Sequence, residues 1–125
     1  MKFDAKHNGV RCWLGSLEAQ VAEALWDKPK STVIEIAQHI SETTGQRYND
    51  TSITTIVDRM TRKKNLMRRL PGRPARYEMH LDEAEFLRTH IVATIAALLE
   101  IDSEVVFKYV DAHRAVWRRE RECGR

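Results

Sequence analysis

The sequence predicts a mainly α protein in which three amphipathic helices precede a short β-hairpin and two more helices follow it. Three observations carry this. Apolar residues recur at three- and four-residue steps in five segments. One segment, Arg76 to Leu81, alternates strictly instead, with Tyr77, Met79 and Leu81 on one face. A tight run of turn formers, Pro71-Gly72-Arg73-Pro74, sits just before it.

Each element has a local cause. The first helix opens at Leu14-Gly15-Ser16-Leu17-Glu18, with Ser16 expected as N-cap because its hydroxyl accepts from the free N–H groups of the first turn. Leu17, Val21, Ala24 and Leu25 form its stripe, and it ends near Trp26-Asp27, before Lys28-Pro29. Thr32 and Glu35 have capping-box spacing for the second helix. There Val33, Ile36, Ala37 and Ile40 face inward, and Gly45 ends the run. The third helix is expected from about Asp50 to Lys64, with Ile53, Ile56, Val57 and Met60 inside. Asn65 suits the left-handed residue that ends a helix. Leu66 to Leu70 is the first strand of the hairpin.

Asp82 caps the fourth helix, and Glu83 and Glu85 lie in its first turn, where the helix dipole favours acids. Leu87, Ile91, Ile95 and Leu98 line its apolar side, with Phe86, Ala97 and Leu99 beside them. Ile101-Asp102-Ser103 is a break, with Asp102 or Ser103 capping a fifth helix along Val106, Tyr109, Val110, His113, Val116 and Trp117. A chain of 125 residues is one domain with at most a small appendage, and it is long enough to bury a core.

Charge is informative through its placement. The net charge is only +3. Yet Arg59 to Arg76 holds Arg59, Arg62, Lys63, Lys64, Arg68, Arg69, Arg73 and Arg76 and no acid. Such a block is often just a solvated face, but it also makes a local field that attracts polyanions. Acids dominate from Asp82 to Glu104, and the far end is basic again at Arg114, Arg118, Arg119, Arg121 and Arg125.

Several classes are disfavoured. No apolar run is long enough to span a bilayer, and no apolar segment follows the basic start as in a secretory signal. Cys12 and Cys123 sit at opposite ends and form neither a disulfide framework nor a zinc pair. Both are expected to be reduced, and the setting cytoplasmic. The five histidines lack metal-ligand pairing on one helix, so neither metal nor cofactor is expected. No nucleophile elbow, phosphate loop or metalloprotease motif supports an enzyme.

Three helices followed by a basic hairpin is the order of a winged helix-turn-helix, here expected over residues 10–81, with a helical dimerisation region over 82–121. In that arrangement the third helix enters the major groove. The short hydroxyl residues Thr51, Ser52, Thr54 and Thr55 lie at its N-terminal half, although such residues are poor helix formers. They let the backbone approach base edges, while Arg59 and Arg62 reach phosphate. Arg68, Arg73 and Arg76 on the wing are placed to neutralise phosphates. Double-stranded DNA is therefore the expected partner. The competing reading is a winged-helix module for protein–protein contact, which needs neither a cationic wing nor a hydroxyl-rich third helix.

These residues resemble the penicillinase-repressor and methicillin-resistance-repressor family of winged-helix regulators. The resemblance lies in Leu14-Gly15-Ser16-Leu17-Glu18, Val21 and Leu25-Trp26. It continues through Thr32-Val33, Glu35-Ile36 and Tyr48, then Ile53, Thr55-Ile56, Arg59-Met60 and Arg62-Lys63, and ends at Gly72-Arg73 and Tyr77. It implies a repressor that binds palindromic operators as a homodimer through its C-terminal helices. A glycine is expected after the two cations of the third helix, where Lys64 stands. Antibiotic-responsive members are cleaved in the dimerisation region, and no motif here indicates such cleavage, so any regulatory protease or effector stays open. Copper-responsive relatives carry a cysteine-rich tail, whereas this chain has only Cys123 there.

The homodimer expectation also has a residue-level basis. Two short helices with wide apolar stripes cannot bury them all against a domain of about 70 residues. Leu87, Ile91, Ile95, Leu98, Val106, Tyr109, Val110 and Trp117 are therefore expected at a two-fold interface.

Overall fold

The computed structural model describes residues 2–123, without the side chain of Cys123. The expectations placed on the Cys123 thiol and on Arg125 lie outside the described residues. After a short turn at Gly9–Cys12 come α1 (Ser16–Asp27), α2 (Val33–Thr44) and α3 (Asp50–Asp58). A π-helical turn, Arg59–Lys63, continues α3. The hairpin is β1 (Met67–Leu70) and β2 (Arg76–Met79), and α4 (Glu83–Cys123) completes the chain. The chain divides into two compact units between Arg88 and Thr89.

The first unit is built on one core. Val21, Ala22 and Leu25 of α1, Ile36 and Ile40 of α2, Ile53 and Val57 of α3, Met60, Met67 and Phe86 are all buried. Leu17, Val33, Ala37, Ile56, Tyr77 and Met79 are half-buried against them. Burying side chains of this size contributes about 1.5–3 kcal/mol each before the entropy of ordering is subtracted. Trp26 donates its Nε1 proton to the Leu81 carbonyl at 2.9 Å and meets Phe86 edge-on at 5.7 Å. Trp13 is buried beside Phe3.

The caps show why the helices begin and end where they do. At α2 the reciprocal capping box forms: Glu35 N–H donates to Thr32 Oγ1 and Thr32 N–H to Glu35 Oε1. Gly45 closes α2 at φ +74°, a left-handed conformation that side chains resist. At α1 the N-cap is Gly15 rather than Ser16, which is already the first helical residue. Glu18 does the capping, its carboxylate accepting from Gly15 N–H at 3.0 Å. Asn49 caps α3 by accepting from Ser52 N–H at 2.8 Å.

The third helix departs from its expected form. Helical periodicity over 50–64 predicts a plain α-helix, but its last turn is wound as π-helix. Lys64 N–H bonds to the Arg59 carbonyl five residues back, at 3.1 Å. A π turn holds one more residue than an α turn. Asn65, not residue 64, then takes the left-handed position, at φ +51°. The extra residue is absorbed and the hairpin still starts in register.

β1 and β2 pair antiparallel, Met67 with Met79 and Leu70 with Arg76. A further bridge joins them to the loop before α2: Tyr77 N–H donates to the Ser31 carbonyl at 2.9 Å. The strands are shorter than the expected 66–70 and 76–81 by one and two residues.

Within α4 the expected break is present. Asp102 has φ −160° and ψ +93°, and its carboxylate accepts from Val105 N–H at 3.1 Å. Asp102 therefore caps a second helical segment. In the second unit Ile91, Ile95, Leu98, Tyr109, Val110 and Trp117 are exposed, and Val106 is half-buried. Leu87 lies in the first unit, half-buried against the core there. One turn into α4 the chain still carries Phe86 into that core, and Leu87 is its neighbour.

Candidate nucleic-acid interface

The exposed side of α3 follows from the stripe that buries it. With Ile53, Val57 and Met60 inside, Thr51, Thr54 and Thr55 must face solvent, and they do. Ser52 is half-buried at the first turn. The hydroxyl of Thr54 donates to the Asp50 carbonyl at 2.7 Å, and that of Thr55 to the Thr51 carbonyl at 2.9 Å. Such back-bonding holds each hydroxyl against its own helix and leaves a small, flat surface with acceptor lone pairs and methyl groups.

The cations of residues 59–76 are not equivalent. Lys64 is drawn inward onto Glu18, with Nζ 2.9 Å from Oε1 and 2.7 Å from Oε2. Arg76 Nη1 donates to Glu35 Oε1 and to the Lys30 carbonyl, both at 2.9 Å. That nitrogen is engaged within the domain, while the Arg76 side chain remains half exposed. Arg68 pairs with Glu78 directly across the hairpin. Arg62 pairs with Asp58 one turn back, at 2.9 Å, with both side chains largely exposed. Lys63, Arg69 and Arg73 make no ion pair among the described residues.

Arg69 and Arg47 are candidate contacts that sequence patterning does not single out. Arg69 lies on the strand face opposite Arg68, yet both are exposed. Toward its tip the hairpin leaves the core that Met67 and Met79 join, so Arg69 is exposed although it shares the strand face of Met67, and alternation does not select it. Arg47 sits exposed in the turn just before α3. A lone cation in a loop carries no pattern by which to find it.

Two carboxyls are tuned by this network. Glu35 accepts from the Thr32 backbone, from Lys28 and from the Thr32 hydroxyl, which lowers its pKa to about 2 despite some desolvation. For Glu18, burial raises the pKa, but the Lys64 ammonium and the Gly15 N–H outweigh it and hold the carboxyl below its ordinary range. Both are anions at neutral pH. Among the described residues no group of three or more His, Cys, Asp or Glu is gathered as a metal site. No described helix is long and apolar enough to cross a membrane.

Three packed helices, a hairpin with cations along its strands and at its tip, and a helix with a small polar outer face define a winged helix-turn-helix regulator. Solved structures share the fold. A MarR family transcription regulator matches with TM-score 0.50 at 17% identity, over 92% of this chain and 77% of that one. A MarR family protein from Bacillus stearothermophilus matches with TM-score 0.50 at 16% identity, over 93% and 79%. The profile of the family described as Penicillinase repressor matches residues 14–120, and the chain belongs to that family. Family and fold are those of DNA-binding transcriptional repressors. No curated protein matches the chain.

Proposed function

We propose that the protein is a sequence-specific repressor acting as a homodimer on an inverted-repeat operator. In this reading α3 enters the major groove, Thr51, Ser52, Thr54 and Thr55 face base edges, and Arg59 and Arg62 reach phosphate. Arg68, Arg73 and Arg76 grip the backbone or minor groove from the wing, with Arg69 beside them. The observation that carries it is the pairing of a small hydroxyl face on α3 with unpaired cations at Lys63, Arg69 and Arg73. Small side chains permit close approach, and nearby cations release counterions.

The homodimer is supported by the bare apolar side chains of the second unit. Ile91, Ile95, Leu98, Tyr109, Val110 and Trp117 are each more than 40% exposed. A helical segment that exposes this many large apolar side chains suits an interface. Leu87, half-buried at the start of this stretch, and Ile91, Ile95, Leu98, Val106, Tyr109, Val110 and Trp117 form the proposed contact with a second copy.

The test is selection from a randomised duplex pool by the purified protein. Enrichment of an inverted repeat with half-sites about 34 Å apart is expected, one helical turn for two copies of α3. Recovery of unenriched DNA would refute sequence-specific binding.

A further inference from the structure

Among the described residues, Lys64 is the one cation of the basic run held by a buried acid. Its side chain is 30% exposed, and that of Glu18 only 6%. The partners are 46 residues apart, one in the first turn of α1 and the other just past the π turn. Lys64 directly follows the π turn and is half-buried against Glu18, whereas Arg62 and Lys63 before it stay exposed. Glu18 also holds the Gly15 N–H, and the charge of Arg59 acts on it. One carboxylate thereby ties the start of α1 to the end of the third helix.

The geometry points to Glu18 as a positioning residue for DNA recognition: by holding Lys64 inside the domain, it keeps that cation off phosphate and fixes where Arg59, Arg62 and Lys63 stand. This rests on the reading of the protein as a DNA-binding repressor. A lysine free to find phosphate adds affinity to every sequence alike, so it raises non-specific binding without improving discrimination. A buried pair that loses one member leaves an uncompensated charge and rearranges. With Glu18 neutral, Lys64 turns outward and reaches one more phosphate per copy.

The experiment uses the full chain as wild type, E18Q and the double variant E18Q/K64Q. Glutamine keeps an oxygen for the Gly15 N–H. Each protein is titrated by fluorescence anisotropy at several NaCl concentrations. The probes are the duplex that wild type enriches from a randomised pool and a scrambled duplex of equal composition. E18Q is expected to bind the scrambled duplex several-fold more tightly and to steepen the log–log salt slope by about 0.9 per copy. Its ratio of selected to scrambled affinity should fall by about threefold or more. The double variant should return to the wild-type slope.

Equal weakening on both duplexes in E18Q, with the slope unchanged, means a purely structural role and overturns the inference. So does a double variant whose slope is shallower than wild type by about 0.9, because Lys64 would then already bind phosphate. Thermal melts establish that each variant is folded in the assay. Should E18Q alone not fold, the double variant decides by the same criterion. If wild type shows no salt-dependent DNA binding, the repressor reading itself falls, a result seen before any variant is made.

Discussion

Thr55 and Arg73 stand for two modes of DNA binding that fail differently. Thr55 offers a lone pair and a methyl group on the outer face of α3. Thr55→Ala should cost on the order of 1–3 kcal/mol on the selected duplex and little on scrambled DNA. Arg73→Ala should weaken both and lower the salt slope by about 0.9 for each phosphate it leaves unneutralised. Titration of both variants against both duplexes at several salt concentrations checks this, and the reverse pattern would exchange their roles. Glu35 makes a prediction of another kind. Its folded-state pKa lies near 2, below the ordinary 4.5, so the stability it contributes is present above about pH 4.5. That contribution is lost as the pH falls from 4.5 toward 2. Melting curves between pH 7 and pH 2 should show wild type losing stability over this window. Glu35→Gln should be less stable at pH 7 and flatter below 4.5, and parallel profiles would contradict this.

At the scale of elements, what was legible in the sequence followed from local chemistry. The Thr32–Glu35 box, the Gly45 stop and the Asp82 cap each involve residues within a few positions of one another, and each forms as expected. Gly45 gives a direct check. A Cβ there would meet nothing within 4 Å, so Gly45→Ala should cost only the left-handed strain, about 1 kcal/mol. Calorimetry should show a melting point lower by several degrees. What was illegible depends on distance or on a single residue. The π turn adds one residue to a stripe that repeats at three and four anyway, so periodicity does not register it. The Ser31–Tyr77 bridge is one residue long and leaves no alternation to read. The engagement of Lys64 by Glu18 and of Arg76 by Glu35 joins positions 46 and 41 apart, which composition and spacing do not connect. Hence the cationic run was visible in the sequence, but not which of its members the fold withholds.

At the scale of the whole molecule, the proposed homodimer would link DNA binding to assembly through the second unit. Its exposed apolar residues would be costly on a monomer, and the proposed two-fold partner would remove them from water. Ile95→Asp places a charge within that surface. It should shift the mass seen by light scattering at micromolar concentration from two copies to one. Affinity for the selected duplex should fall steeply while each winged-helix domain remains folded, because the monomer reaches only one half-site. A wild-type protein already monomeric under those conditions would remove the dimer from the proposal. The break at Asp102 fits such an interface, since it lets the apolar side chains before and after it be presented at different angles.

The π turn after α3 also says something about how this chain tolerates change in length. Deleting one residue in the middle of an α-helix rotates everything beyond it by about 100° and would pull a buried side chain into water. Between Met60 and Met67, both fully buried, the turn already holds one residue in excess. The chain can give that residue up: removing one of Thr61, Arg62 or Lys63 should rewind the turn as ordinary helix, leaving Met60 and Met67 in place. The same deletion between Ile53 and Val57 should abolish folding. A single slot of this kind would let the chain lose one residue at the root of the wing and keep its core.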